Sequence, residues 1–180
     1  MRGFAFAAAL SAALLPAVAA HAVPKKVVRH AAKAPVAPLS PAAAFLAANA
    51  RQRGVVQTAS GLQYRVLSPG SGTARPGDDD VTLVNYVGTL TTGKVFDQSA
   101  HPTPMPVSGV VPGFSESLKL MPKGAKYRVW IKPSLGYGDR ASGPIPAGSV
   151  LVFDIELLDF VSAAQFQQMQ QQAPQPGAPN

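Results

Sequence analysis

The sequence predicts an α+β domain: one antiparallel sheet, apolar on one side, with a single short helix laid against that side. Three observations carry this. Residues 62–67, 81–90, 125–131 and 150–161 are rich in β-branched and aromatic side chains and are separated by Gly/Pro/Asp clusters. The last of these segments alternates. Leu151, Phe153, Ile155 and Leu157 share one side and Val152, Asp154 and Glu156 the other, as in an antiparallel strand with one packed and one wet face. Only residues 112–121 between the strands read as helix: Pro112 opens it, Phe114, Leu118 and Met121 mark one side, and Pro122-Lys123-Gly124 closes it. A helix over the apolar side buries both partners and leaves a cavity at the rim, where the sheet is partly uncovered.

In chain order, residues 1–22 combine Arg2, the apolar run FAFAAALSAALLPAVAA and the small-x-small ending Ala20-His21-Ala22. That is the pattern of a cleaved secretory signal, with cleavage after Ala22 and with Ala19 and Ala20 as alternative sites. Pro16 interrupts the run, which is short for a membrane span. Residues 23–40 are Pro/Ala/Lys-rich without amphipathic period and read as a flexible, solvated N-terminal arm. Residues 41–53 read as a short helix, with Ser40 as N-cap, Pro41 first, Arg51 and Arg53 in the last turn and Gly54 as the stop. The strand-rich block occupies 54–161, and the Gln/Pro-rich residues 162–180 read as a disordered tail. With no cysteine in the chain, neither disulfides nor a lipidated cysteine supports the protein, so its fold rests on its core.

The formal charge is +7, but it is unevenly placed. Residues 23–53 carry six basic side chains and no acidic one, whereas 54–161 holds nine of each sign. The block that folds therefore has no net attraction for phosphate, which argues against a nucleic-acid-binding domain.

The chemistry is harder to place. Asp97 directly follows Phe96 in VNYVGTLTTGKVFDQS, yet the chain has no cysteine and only three histidines, at 21, 30 and 101. Taken singly, the candidates have ordinary explanations. Phe153 shares its side with Leu151 and Ile155 and reads as core, Phe114 as the inner side of the helix, Tyr86 as a strand aromatic and Asp97 as a turn residue.

Their joint occurrence says more. SGLQYRVLSPGSG, VNYVGTLTTGKVFDQS, VVPGFSESLKLMPKGAKYRVWIKPSLGYG and PIPAGSVLVFDIELLDF follow one another in order. In this they resemble the FKBP family of peptidyl-prolyl cis-trans isomerases over about residues 54–161. The lead-in FLAANARQRGVVQTASGLQYRVL resembles exported bacterial members related to the macrophage infectivity potentiator. The resemblance implies a strongly twisted antiparallel half-barrel wrapped around one short helix, with an apolar prolyl pocket between them. It places Asp97, Tyr137, Phe96 and Phe153 in the catalytic site, and Tyr86, Met105, Val110, Val111, Phe114 and Ile145 around the substrate. The Val111 N–H and the Tyr137 hydroxyl would donate to ligand carbonyls, and Tyr86 would orient Asp97. No metal or cofactor is implied. The implied partners are proline-containing unfolded or exported polypeptides, and macrolide inhibitors of the family.

Several positions depart from the family pattern. Met105 stands in place of a phenylalanine, Phe114 in place of a tryptophan and Pro144 in place of a Val or Ile, and the segment QSAHPTPMP after Asp97 holds no arginine to pair with it; His101 is the nearby candidate, with a loop histidine in water as the favoured alternative. The short helix at 41–53 presents little apolar surface, so a monomer is expected. Two other readings stay open at this point: a holdase with incidental isomerase activity, and an envelope contact through the basic arm 23–53. The leader places the chain outside the cytoplasm, in the periplasm or beyond.

Overall fold

The computed structural model describes residues 38–172; the expected leader, residues 23–37 of the basic arm and the end of the tail lie outside the described residues. The elements are α1 (Pro41–Asn49), β1 (Val56–Gln57), β2 (Gln63–Ser68), β3 (Asp80–Leu90), β4 (Val95–Gln98), β5 (Thr103–Pro106), α2 (Pro112–Leu120), β6 (Lys126–Ile131), β7 (Leu151–Ser162) and α3 (Ala163–Gln172). Single 3₁₀ turns lie at Val107–Gly109 and Pro133–Leu135.

The strands form one antiparallel sheet in the order β1-β2-β6-β7-β3-β4, and β5 also pairs with β3. β3 and β7 are its centre, in register from Asp80↔Ser162 to Leu90↔Leu151 with one slip between Leu83 and Val84. Beyond β3 the edge is shared end to end: β5 pairs with residues 81–84 and β4 with residues 87–89. The alternation expected of β7 is present, with Leu151, Ile155 and Leu157 fully buried and Phe153 nearly so. The outer face carries the bidentate pair of Arg128 and Asp154, at 2.7 and 2.6 Å.

α2 lies on the inner face. Phe114 and Leu118 enter the core shared by Val129, Ile131, Leu151 and Ile155. The approach is close because Gly113 has no side chain: a Cβ there would lie 2.5 Å from Ile131 Cγ2. Ser117 is fully buried and returns its hydroxyl to the Gly113 carbonyl at 2.6 Å, so no polar atom is stranded in the contact.

Two sequence expectations need correction. α1 stops at Asn49, so Arg51 and Arg53 lie beyond it rather than in its last turn. Its start is as expected, with Ala43 N–H donating to Ser40 Oγ at 3.2 Å. What fixes the helix is Gln63, 1 % exposed, which accepts from Asn49 Nδ2 and donates to the Leu46 carbonyl. The second correction concerns residues 163–172, expected to be disordered, which form α3. Ser162 and Gln165 make a reciprocal capping box: the Gln165 N–H donates to Ser162 Oγ at 3.2 Å and the Ser162 N–H to Gln165 Oε1 at 3.1 Å. Phe166 and Met169 then line a cavity of about 220 Å³ with Pro104 and Phe160.

Candidate active site

The candidate site is a cleft of about 240 Å³ between α2, β3, β4, β5, β7 and the loop after β6. Tyr86, Phe114 and Phe153 line its interior, and Phe96 packs against Phe153. Phe114 from α2 meets Phe153 from β7 edge to face, with centroids 5.0 Å apart at 84°. Tyr86 from β3 stands edge-on to Phe114 at 5.9 Å and tilted to Phe153 at 6.2 Å. Phe96 from β4 meets Phe153 at 5.4 Å and 89°. Edge-to-face packing suits the ring quadrupoles and adds about 0.5–1.5 kcal/mol per pair to area burial, so each ring fixes the angle of its neighbours.

Polar groups sit at the rim. The Tyr86 hydroxyl donates to Asp97 Oδ2 at 2.8 Å, the contact the sequence reading expected. Burial, then the hydrogen bond and charge of Asp97, push the Tyr86 pKa up to about 12, so the hydroxyl is a donor throughout the physiological range. The ion pairs of the described residues are Lys119–Asp78, Lys123–Asp159 and Arg128–Asp154; His101 does not pair with Asp97. Tyr137, 43 % exposed, stands at the mouth. Val111 precedes the first turn of α2 and accepts there from the Phe114 and Ser115 N–H groups, while its own N–H has no backbone acceptor among the described residues.

Eight of the ten expected residues line the cleft: Tyr86, Asp97, Met105, Val110, Val111, Phe114, Tyr137 and Phe153. Phe96 is not among the lining residues but stands edge-on to Phe153, which is. Ile145 is 5 % exposed and lies in the core. A paired turn, with Ser142 and Ile145 exchanging N–H···O bonds of 2.9 Å, draws it inward. Gly109, which also lines the cleft, was missed, since a glycine contributes only backbone and leaves no side-chain signal.

An antiparallel sheet wrapped on one helix, with an aromatic cleft at its rim, defines a class, and the comparisons agree with it. A family model described as FKBP-type peptidyl-prolyl cis-trans isomerase matches residues 72–158, and one for the domain amino terminal to it matches residues 5–66. The chain belongs to the FKBP-type peptidyl-prolyl cis-trans isomerase family. It is 47 % identical over 117 residues to the FKBP-type isomerase FkpA of Aeromonas hydrophila, covering 63 % of this chain and 43 % of that protein. It is 42 % identical over 125 residues to the outer membrane protein MIP of Legionella longbeachae, covering 67 % and 53 %. The chain thus spans about half the length of these relatives. A solved peptidyl-prolyl cis-trans isomerase from Pseudomonas syringae superposes with a TM-score of 0.65 at 35 % identity, over 67 % of this chain and 91 % of that one.

Proposed function

We propose that the protein accelerates cis-trans isomerisation of Xaa-Pro bonds in exported polypeptides. The observation that carries this is the aromatic cleft with a Tyr86–Asp97 rim, in a chain of this family. Isomerisation breaks no bond. Its barrier is the ~18–20 kcal/mol of amide resonance lost as the C–N bond twists, and the uncatalysed step takes on the order of tens to hundreds of seconds. Water favours the planar amide, whose carbonyl is the better acceptor. A prolyl ring held among Phe114, Phe153, Met105 and Val111 leaves that water behind, and the twisted amide is bound better than the planar one. The Val111 N–H and the Tyr137 hydroxyl hold the flanking carbonyls, while Asp97, fixed by Tyr86, stays an acceptor at the rim. No nucleophile or proton transfer is required, so Asp97 needs no catalytic partner.

Met105 and Phe114 keep the cleft apolar but change its shape, since a thioether is more flexible than a ring and Phe lacks the indole N–H. Apolar residues before proline are preferred, and macrolides of the family compete for the cleft. The chain acts outside the cytoplasm: residues 1–22 have the pattern of a leader and one relative is named an outer membrane protein. The basic arm 23–53 gives a weak, salt-sensitive contact with anionic envelope surfaces, and the protein works as a monomer. A protease-coupled prolyl-peptide assay on the mature chain tests the activity. Rates equal to the uncatalysed reaction at micromolar protein would overturn it.

A further inference from the structure

Gly88 occupies the point where three strands of the cleft meet. On β3 it is buried, two residues from Tyr86. Its partner across β7 is Phe153 and its partner across β4 is Asp97. Immediately beyond it the β3–β4 register slips: Gly88 pairs with Asp97 but Thr89 with Val95, so Phe96 is the extra residue of a bulge. A bulge re-aims a side chain out of the strand's alternation, and the Phe96 ring is turned over Gly88. A Cβ on Gly88 would lie 2.7 Å from Phe153 Cε1 and 2.8 Å from Phe96 Cε2 and Cζ. Carbon atoms in contact sit roughly 3.5–4.0 Å apart, so the volume of even one methyl group is already taken by two ring edges. The backbone does not ask for glycine here, since Gly88 is not among the residues with left-handed φ. The rings do.

We propose that Gly88 is a positioning residue of the isomerase site, a statement that rests on the function proposed above. Its missing side chain lets Phe96 stand edge-on to Phe153, and that contact holds the Phe153 ring against the twisting amide.

The test compares the wild type with Gly88→Ala, Phe96→Leu and the double variant in steady-state prolyl-peptide kinetics, each with a thermal melt. Gly88→Ala lowers kcat/KM about tenfold, mostly in kcat, because an overpacked contact moves Phe153. Phe96→Leu alone lowers it less, and in the Gly88→Ala background it restores activity to its own level, because the shorter side chain gives the methyl group room. A Gly88→Ala rate within about twofold of wild type, or a folded double variant no faster than Gly88→Ala, overturns the proposal. If Gly88→Ala does not fold, the double variant decides: a rate matching Phe96→Leu supports the proposal, and a further drop or failure to fold overturns it. A wild type no faster than the uncatalysed reaction overturns the isomerase reading itself, a result seen without any variant.

Discussion

Replacing Asp97 by asparagine distinguishes a rim acceptor from a proton-transferring group. The carboxylate takes one side-chain hydrogen bond, from Tyr86 at 2.8 Å, and is otherwise exposed. Asparagine keeps the shape and can still accept through its oxygen, so the change removes only the charge assistance of that bond. Hydrogen bonds to charged groups contribute about 1.5–3 kcal/mol and neutral ones about 0.5–1.5 kcal/mol. The difference, ~1 kcal/mol, is an upper bound at a solvated rim, so kcat/KM falls about two- to fivefold. The Tyr86 pKa should fall as well, from about 12 toward its ordinary value, keeping the part of the shift that burial causes. The assay is protease-coupled isomerisation of wild type and Asp97→Asn at equal concentration, with a spectrophotometric titration of the tyrosines. A loss of 10²-fold or more, with an unchanged melt, is what removing a general base produces, and it would refute a mechanism of desolvation and carbonyl positioning.

Tyr137→Phe keeps the apolar mouth and deletes one donor, so it should cost roughly 0.5–1.5 kcal/mol, about two- to twelvefold in rate; an unchanged rate would remove Tyr137 from the site. Leu118→Ala opens a cavity in the fully buried contact of α2 and should lower stability by about 2–5 kcal/mol in a denaturant melt. Gln63→Leu removes the hydrogen bonds to Asn49, Leu46 and Gln57, at roughly 0.5–1.5 kcal/mol each before the gain from burying leucine. Amide exchange should then quicken in α1 and not in β3 or β7, and uniform quickening would contradict the assigned tether. The raised Tyr86 pKa favours the neutral folded state. Its contribution is complete below the unfolded value of about 10 and is lost as pH rises through about 12. Melts should show no loss from this group between pH 6 and 9 and a loss above pH 10, which Tyr86→Phe abolishes.

Much of this architecture can be read directly from the residues. β7 announces itself because one face is buried and one wet, and α2 because Pro112 and Gly124 bracket a short apolar stripe. The cleft was legible only as an ordered set of motifs, since no single position separates pocket from core; Ile145 went to the core for that reason. The short edge strands escaped. β5 reads Thr-Pro-Met-Pro, and prolines argue against a strand unless it lies at an edge, where β5 is found. α3 was hidden by a Gln-rich composition that outweighed the Ser162–Gln165 cap and the apolar pair Phe166 and Met169. Gly88 stayed invisible because its contribution is an empty volume, defined only once Phe96 and Phe153 are brought beside it.

The pairing of β3 with β7 also sets the order in which the chain can become a protein. The two central strands are separated by some sixty residues of sequence, so the longest ladder in the sheet cannot begin until residues 151–162 have been made. Until then β3 has only the short β4 and β5 beside it, and the inner face of the sheet has no centre on which α2 can settle. Closing such a distant pair carries its entropic cost before any of its contacts form, and domains built this way fold slowly for their size. A nascent chain therefore stays open until β7 has been made. Truncation before residue 151 should leave an unfolded polypeptide rather than a smaller domain.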